Sequence, residues 1–233
     1  MSRSVLVTDD DLGVGRAVAA VMLGAGHKVT FAQSDGPQPV DLFAVPCDPA
    51  DAGSVDRAFQ AAEHQHGPVE VLVVNSRRGV DVTLAEVDEE RFGQTLNVNL
   101  GGAHRLARRA LPGMLRGRWG RVIFVSAAPG MRGAAGRTDA AASAAGLVGI
   151  ARSMVRELGA RGVTANVVAP GVLEGDPASR PPEKRPDTWG GIPLGRSGTA
   201  AEVAAAVRYF ASDDAAYVTG AVLPINGGAG MGH

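Results

Sequence analysis

Two glycines and a run of aspartates follow the first apolar segment of the chain. Gly13 and Gly15 come after residues 4–8, where a strand is predicted to pass into a helix. Glycines at such a turn let backbone N–H groups approach a pyrophosphate at the helix N-terminus. Asp9 and the two aspartates that follow it oppose this chemistry, because a carboxylate about 4–5 Å from a phosphate costs roughly 3–4 kcal/mol at an effective dielectric of about 20. We therefore expect a turn that holds no anion.

Five further side chains have types that could line a small-molecule site. They are Arg77, Ser126, Arg137, Asp139 and Trp189. An arginine such as Arg77 can hold a carboxylate or a phosphate through paired N–H donors. A desolvated Asp139 can act as an acid or a base. The plainer interpretation treats Arg77, Arg137 and Asp139 as solvated loop charges, and at this stage we prefer it.

Composition limits the classes of function. A chain of 233 residues with 45% hydrophobic content is most simply a single domain, 1–233, around one core. A net charge of −1 gives no electrostatic attraction to nucleic acid or to an anionic membrane, so neither is expected as a partner. The single cysteine, Cys47, and the lack of a secretory leader pattern predict a cytoplasmic protein. The five histidines show no zinc-site spacing, so no metal is expected.

Short β-branched runs alternate with longer segments of helical periodicity along the whole chain. This alternation predicts an α/β fold: a Rossmann-like, doubly wound parallel sheet with helices on both faces. About seven strands are predicted, at 4–8, 28–32, 43–47, 70–75, 121–126, 163–168 and 221–225. Helices are predicted at 13–23, 52–66, 89–115, 138–158 and 200–211. Residues 175–198 are rich in proline and are predicted to form a lid or substrate loop.

Several segments from one end of the chain to the other carry a specific resemblance. They include GRVIFVS at 120–126, VTANVVAPG at 163–171 and ASDDAAYVTGAVLPINGGAGMGH at the end. On these segments the chain resembles the short-chain dehydrogenase/reductase family, and within it the actinobacterial 3-oxoacyl-[acyl-carrier-protein] reductases. The resemblance implies a Rossmann-like fold, descent from an NADPH-dependent reductase of fatty acid or polyketide synthesis, and a dimeric or tetrameric assembly.

The resemblance also implies that the family's catalytic residues are missing. Family members reduce a ketone with a Ser, a Tyr and a Lys, and Ala127, Ala140 and Ala144 occupy those places here. Loss of proton transfer alone typically costs about 10²–10⁴-fold in rate. The family's Asn is matched, as Asn99. Ser126 stands one residue before the expected Ser, and on a strand this reverses the face to which the side chain points.

The family's cofactor contacts change at separate places. Four positions match and are interpreted as vestigial, namely Gly13, Gly15, Asp48 and Asn75, although Asp48 could equally be a turn residue. Arg77 stands where a glycine leaves room for the cofactor. Ser34 replaces an Arg that contacts the 2′-phosphate, and Gly175 replaces a Thr that contacts the carboxamide. No cofactor is therefore expected, whereas NADPH is expected if reductase activity survives.

Three functions stay open on the sequence. The first, which we favour, is a non-catalytic subunit or scaffold that pairs with itself or with an active paralogue through 89–115, 138–158 and the tail 221–233. The second is a repurposed non-redox enzyme, a cyclase, lyase or dehydratase, that acts on an acyl or polyketide-like substrate. An acyl carrier protein or a polyketide-like small molecule is a candidate partner of the protein. The third is a residual NADPH-dependent 3-oxoacyl-[acyl-carrier-protein] reductase.

Overall fold

The protein is built around a seven-stranded parallel sheet. The computed structural model describes residues 2–9, 12–34, 41–76, 81–176 and 192–230. The strands are β1 (Ser4–Thr8), β2 (Lys28–Gln33), β3 (Phe43–Pro46), β4 (Val71–Asn75), β5 (Gly120–Val125), β6 (Val163–Pro170) and β7 (Val222–Ile225). They lie in the order β3-β2-β1-β4-β5-β6-β7, so the chain reverses its direction of travel between β1 and β4. The predicted single-domain, doubly wound fold is confirmed.

Helices cover both faces of the sheet. They are α1 (Val14–Gly24), α2 (Ala52–His66), α3 (Glu89–Leu96), α4 (Gly102–Gly117), α5 (Pro129–Arg132), α6 (Thr138–Leu158) and α7 (Ala200–Ala211). The helices α1 and α7 pack on one face, over a cluster that includes Val7, Val73 and Phe210. The helices α2, α4 and α6 pack on the other face, over a cluster that includes Leu72 and Phe124. The sheet is thus buried on both sides, as its continuous apolar strands require.

A π-helical turn interrupts the helix that was predicted over 89–115. The turn, Asn97–Gly101, lies between α3 and α4 and places Asn99 at 5% exposure. Arg105 stabilises the turn, because its guanidinium donates to the backbone oxygen of Asn97 at 3.2 Å and to Oδ1 of Asn97 at 2.6 Å. Next to the turn, a Cβ on Gly102 would lie 2.7 Å from Cβ of Pro49, so only glycine allows this close approach. The backbone is thus helical from 89 to 117, as the sequence predicted for 89–115, but it includes a π-helical turn that the sequence did not predict.

The loop between α6 and β6 meets the end of α4 in a tight backbone contact. Arg118 ends α4 in the left-handed conformation, with φ of 48°. Gly162, with φ of +79°, lies opposite, and a Cβ there would be 2.2 Å from the carbonyl oxygen of Arg118. The carbonyl of Gly162 accepts from the N–H of Gly120 at 3.2 Å and so aligns β5 with β6.

Each edge strand of the sheet contains a proline. Pro46 is the last residue of β3, and Pro224 is the third residue of β7. In β7 the carbonyls of Ala221 and Ile225 accept from β6, so the alternate position, Pro224, turns its nitrogen away from the sheet. The N–H of Cys47 donates to β2, which places the nitrogen of Pro46 on the outer side in the same way. Each outer edge of the sheet therefore lacks one backbone N–H donor.

In the part of the chain that the structure describes, no helix combines the length and the apolar character needed to cross a bilayer.

Candidate functional site

A narrow cleft lies at the carboxyl ends of the first four strands. Its volume is about 370 Å³, open solvent at its mouth included. It sits where the strand order reverses between β1 and β4, which is the usual ligand position in open α/β sheets. The residues that line it are Thr8, Asp9, Ala32, Ser34, Cys47, Pro49, Val74, Asn75, Val98, Asn99 and Leu106.

The floor of this cleft is a junction between β1, β4 and the start of α1. The side-chain amide of Asn75 donates to the carbonyl oxygen of Thr8 at 2.6 Å, and its backbone N–H donates to Oγ1 of Thr8 at 2.8 Å. The backbone N–H of Asp9 donates to the carbonyl of Ala32 at 2.8 Å. Asp9 is one of the lining residues, and it forms no ion pair with another residue that the structure describes.

A glycine is required at each of the two positions of the turn for a different structural reason. Gly13 precedes α1 in the left-handed conformation, with φ of 75°, and a Cβ there would meet nothing within 4 Å. Gly15 lies inside α1, and a Cβ there would be 2.5 Å from the carbonyl oxygen of Thr8 and 3.3 Å from Nδ2 of Asn75. Packing of α1 against β1 therefore explains Gly15 without a bound phosphate.

Replacing each of these glycines by alanine is expected to distinguish the lack of space at Gly15 from the left-handed backbone at Gly13. Gly15→Ala forces a methyl group into the backbone of β1 and is expected to destabilise the fold by about 2–3 kcal/mol. Gly13→Ala adds only left-handed backbone strain, of about 1 kcal/mol. Urea unfolding of both variants at one protein concentration measures the difference. Equal costs would contradict the packing explanation for Gly15.

The second wall of the cleft is formed by the loop that connects β3 to α2. Oδ1 of Asp48 accepts from the N–H of Ala50 at 2.8 Å, and the N–H of Asp48 donates to Oγ of Ser54 at 2.9 Å. Asp48 is thus used as a turn residue, the alternative that the sequence left open. Burial raises the pKa of the Cys47 thiol to about 11, so the thiol stays protonated and a poor nucleophile at neutral pH.

The three alanines lie around the contact between α5 and α6. Ala140 and Ala144 are one turn apart on α6, and Ala127 immediately follows Ser126 at the end of β5. A Cβ on Gly130 would be 2.6 Å from Cβ of Ala144, so α5 packs directly over the helix at this point. Ala144 is 3% exposed.

Polar side chains near these alanines are already hydrogen-bonded within the fold. Oδ2 of Asp139 accepts from Oγ1 of Thr95 at 2.7 Å, and Oδ1 accepts from the N–H of Ala140. The hydroxyl of Ser126 donates to the carbonyl of Ala144 at 3.3 Å.

Arg137 is held in the same manner, since its Nε donates to Oδ1 of Asp81 at 2.7 Å. The preferred interpretation of Arg137 and Asp139 as solvated loop charges is wrong for both residues, because the side chain of Arg137 is 11% exposed and Asp139 is 4% exposed and bonded to α3. Arg77 and Trp189, together with most of the predicted lid at 175–198, lie outside the described residues.

Known proteins match this chain over nearly its whole length. The family model described as "Enoyl-(Acyl carrier protein) reductase" matches residues 10–230. The chain is 46% identical over 234 residues to the 3-oxoacyl-[acyl-carrier-protein] reductase MabA of Mycobacterium tuberculosis (strain ATCC 25618 / H37Rv), covering 100% of this chain and 95% of the relative. The chain belongs to the short-chain dehydrogenase/reductase family.

More distant relatives place it within the same branch of this family. It is 37% identical to the 3-oxoacyl-[acyl-carrier-protein] reductase FabG of Pseudomonas aeruginosa, over 97% of this chain and 96% of the relative. It is 34% identical to FabG of Escherichia coli (strain K12), again over 97% and 96%. This short-chain dehydrogenase/reductase is thus a homologue of the 3-oxoacyl-[acyl-carrier-protein] reductases over essentially its whole length.

Two hydrogen bonds at the start of α6 could not be predicted from the sequence. Thr95 and Asp81 hold Asp139 and Arg137 from elements that are distant along the chain, and neither residue has a motif around it. Thr8 was assigned to a strand but not to the cleft. In the described ranges no group of three or more His, Cys, Asp or Glu side chains could hold a metal ion.

Proposed function

We propose that this protein is a non-catalytic member of the short-chain dehydrogenase/reductase family, acting as a subunit or scaffold. One observation carries the proposal. Around Ala140 and Ala144, the polar side chains considered as substitutes, Ser126 and Asp139, are already hydrogen-bonded to α6 and α3. Proton transfer to a ketone needs a donor that is free to reach the substrate, and these groups are held within the fold.

The cleft itself fits a nicotinamide dinucleotide poorly. Asp9 occupies the position at which the family's turn has a glycine. The side-chain amide of Asn75 already donates to the carbonyl oxygen of Thr8. A phosphate near Asp9 meets like-charge repulsion of roughly 3–4 kcal/mol at an effective dielectric of about 20. We therefore expect no NADPH binding in the micromolar range, which titration calorimetry tests directly.

The function then rests on the surfaces of the helices. The exposed side of α6 carries small residues, among them Ala145 and Gly149, and the family resemblance points to 89–115 and 138–158 as assembly elements. A homo-oligomer, a dimer or a tetramer, or a hetero-oligomer with an active paralogue fits this composition. An acyl carrier protein or a polyketide-like molecule is the candidate partner of such an assembly, in the cytoplasm.

Assembly through α6 is expected to be lost in one variant and kept in another. Ala145→Arg places a long cation on the exposed face of α6 and is expected to shift an oligomer to a monomer in light scattering. The matched control, Ala205→Arg, makes the same change at an exposed position of α7 and is expected to leave the mass unchanged. A monomeric parent chain that neither captures nor affects a co-expressed active reductase would refute the scaffold.

A second candidate, a residual 3-oxoacyl-[acyl-carrier-protein] reductase, is favoured by the 46% identity to MabA. Its activity would have to use groups other than a Tyr and a Lys on α6. NADPH-dependent reduction of a 3-oxoacyl thioester by the parent chain, at a rate above that of a heat-inactivated sample, would establish it. The same result would remove the non-catalytic assignment.

A further inference from the structure

A groove runs between α2 and α4. Its volume is about 270 Å³, which is close to the lower end of the range for small-molecule pockets. The residues that line it are Ala52, Val55, Asp56, His104, Arg105, Arg108, Arg109 and Pro112. None of them lines the cleft at the ends of β1 and β4, so the groove is a separate candidate site.

The α4 side of the groove is strongly basic. The helix α4 contains four arginines and no aspartate or glutamate, and three of these arginines line the groove. Arg109 is neutralised, because its guanidinium donates to Asp56 at 2.8 Å and to the two carboxylate oxygens of Glu63 at 2.9 and 2.7 Å. The second oxygen of Asp56 accepts from Nε2 of Gln60 at 2.8 Å. The carboxylates of α2 are therefore occupied and leave the other two arginines without a counter-charge.

These two arginines are Arg105 and Arg108. Arg105 donates only to neutral oxygens, the carbonyls of Pro49 at 3.1 Å and Asn97 at 3.2 Å and Oδ1 of Asn97 at 2.6 Å. Arg108 is exposed and forms no hydrogen bond or ion pair with any residue that the structure describes. His104, one turn before Arg108, is exposed as well. Positions three and four apart are neighbours on a helix surface, so the three cationic or N–H-bearing side chains lie together.

An anion in the groove would stabilise this arrangement. Two neighbouring guanidinium groups repel each other, and an anion between them is attracted to both. Arginine binds a phosphate through paired N–H donors, and the imidazole of His104 can supply a further donor. Ala52, Val55 and Pro112 form an apolar part of the lining, against which an uncharged body can pack. The groove therefore offers a cationic wall and an apolar wall to one ligand.

We propose that the groove between α2 and α4 binds a small molecule that carries a phosphomonoester group, with the phosphate against Arg105 and Arg108. The uncharged body of the ligand lies against the apolar wall. This site is separate from the cleft at the strand ends, and the proposal does not depend on oligomer formation or on the absence of catalysis. Arg108 and Asp9 line different pockets, so variants at these two positions distinguish the groove from the cleft, and either proposal can fail without the other.

The test uses three probes that share a phenyl body and differ in charge. They are phenyl phosphate, methyl phenyl phosphate and phenol, each titrated into the full chain by calorimetry at pH 8 and low ionic strength. At this pH the phosphomonoester carries two negative charges, because its second pKa is about 6. Phenyl phosphate is expected to bind about tenfold more tightly than the singly charged diester, and phenol is expected not to bind at millimolar concentration. Added salt should weaken the binding of phenyl phosphate, because the attraction is electrostatic.

Variants of Arg108 show whether the phosphate binds in the groove. Arg108→Gln removes the charge and keeps a polar side chain, and it is expected to weaken the binding of phenyl phosphate about tenfold. Arg108→Lys keeps the charge and is expected to stay within about threefold of the parent chain. The matched control, Arg208→Gln, makes the same change at an exposed position of α7 and should leave the affinity unchanged.

Four results would overturn the proposal. They are phenol that binds as tightly as phenyl phosphate, an unchanged affinity in Arg108→Gln, an equal loss of affinity in Arg208→Gln, and no binding of phenyl phosphate at millimolar concentration. Urea unfolding of Arg108→Gln checks that the variant is folded, so that a lost site is not mistaken for a lost structure.

Discussion

The triple variant Ala127→Ser, Ala140→Tyr, Ala144→Lys is expected to show no reductase activity above background. The three side chains would supply the hydroxyls and the ammonium group that family members use, a gain of about 10²–10⁴-fold for proton transfer in a competent site. That gain cannot be realised without a bound cofactor, and Asp9, Ser34 and Gly175 differ from the family's pattern at separate points. Oxidation of NADPH with a 3-oxoacyl thioester, followed by absorbance, measures the result.

A fourth substitution makes the same experiment sharper. Adding Asp9→Gly to the triple variant removes the carboxylate from the turn and is expected to raise the affinity for NADPH by about two decades, from the loss of like-charge repulsion. MabA, as an active relative, provides the positive control. Clear turnover by the triple variant without the Asp9 change would show that our interpretation of the cofactor site is wrong.

Gly162→Ala is expected to be among the most destabilising single substitutions in the chain. The new Cβ would lie 2.2 Å from the carbonyl oxygen of Arg118, and the residue would have to keep φ of +79°. Left-handed strain of about 1 kcal/mol adds to an overpacking cost of about 1–3 kcal/mol, so a loss of about 2–4 kcal/mol is expected. The midpoint of urea unfolding and the melting temperature at fixed protein concentration report this loss.

Gly26→Ala is the matched control for that variant. Gly26 also has a left-handed backbone, with φ of +83°, but a Cβ there would meet nothing within 4 Å. Its cost should therefore stay at about 1 kcal/mol, from strain alone. If the two variants lose the same stability, the contact between the end of α4 and the loop before β6 contributes less than the geometry implies.

The fold could be predicted closely where capping and periodicity agree. The helices α2 and α7 begin and end at the predicted residues, because Asp51 caps the first and Thr199 with Glu202 forms a capping box on the second. The π-helical turn at Asn97–Gly101 could not be predicted. It depends on a bond from Arg105 to Pro49, which lies on a distant loop, and helical periodicity continues through it.

The position of the candidate site could be predicted from the sequence, but the contacts that its residues make could not. Asn75 and Gly15 were identified from the family's pattern as cofactor residues, whereas the structure uses both to join β1, β4 and α1. A motif records which residue is present and does not record which neighbour takes its hydrogen bond. Oδ1 of Asn75 has no hydrogen-bond partner among the described residues because of the way two strands and a helix meet, and only the three-dimensional structure shows this.

The prolines in the edge strands determine how this protein can meet other chains. Pro224 in β7 and Pro46 in β3 each remove a donor from the open side of the sheet. A strand from another molecule would find an incomplete ladder at either edge, so strand addition and amyloid-like growth are disfavoured there. The sheet of one copy therefore does not extend readily into the sheet of the next, and contacts between copies are directed to the helical faces.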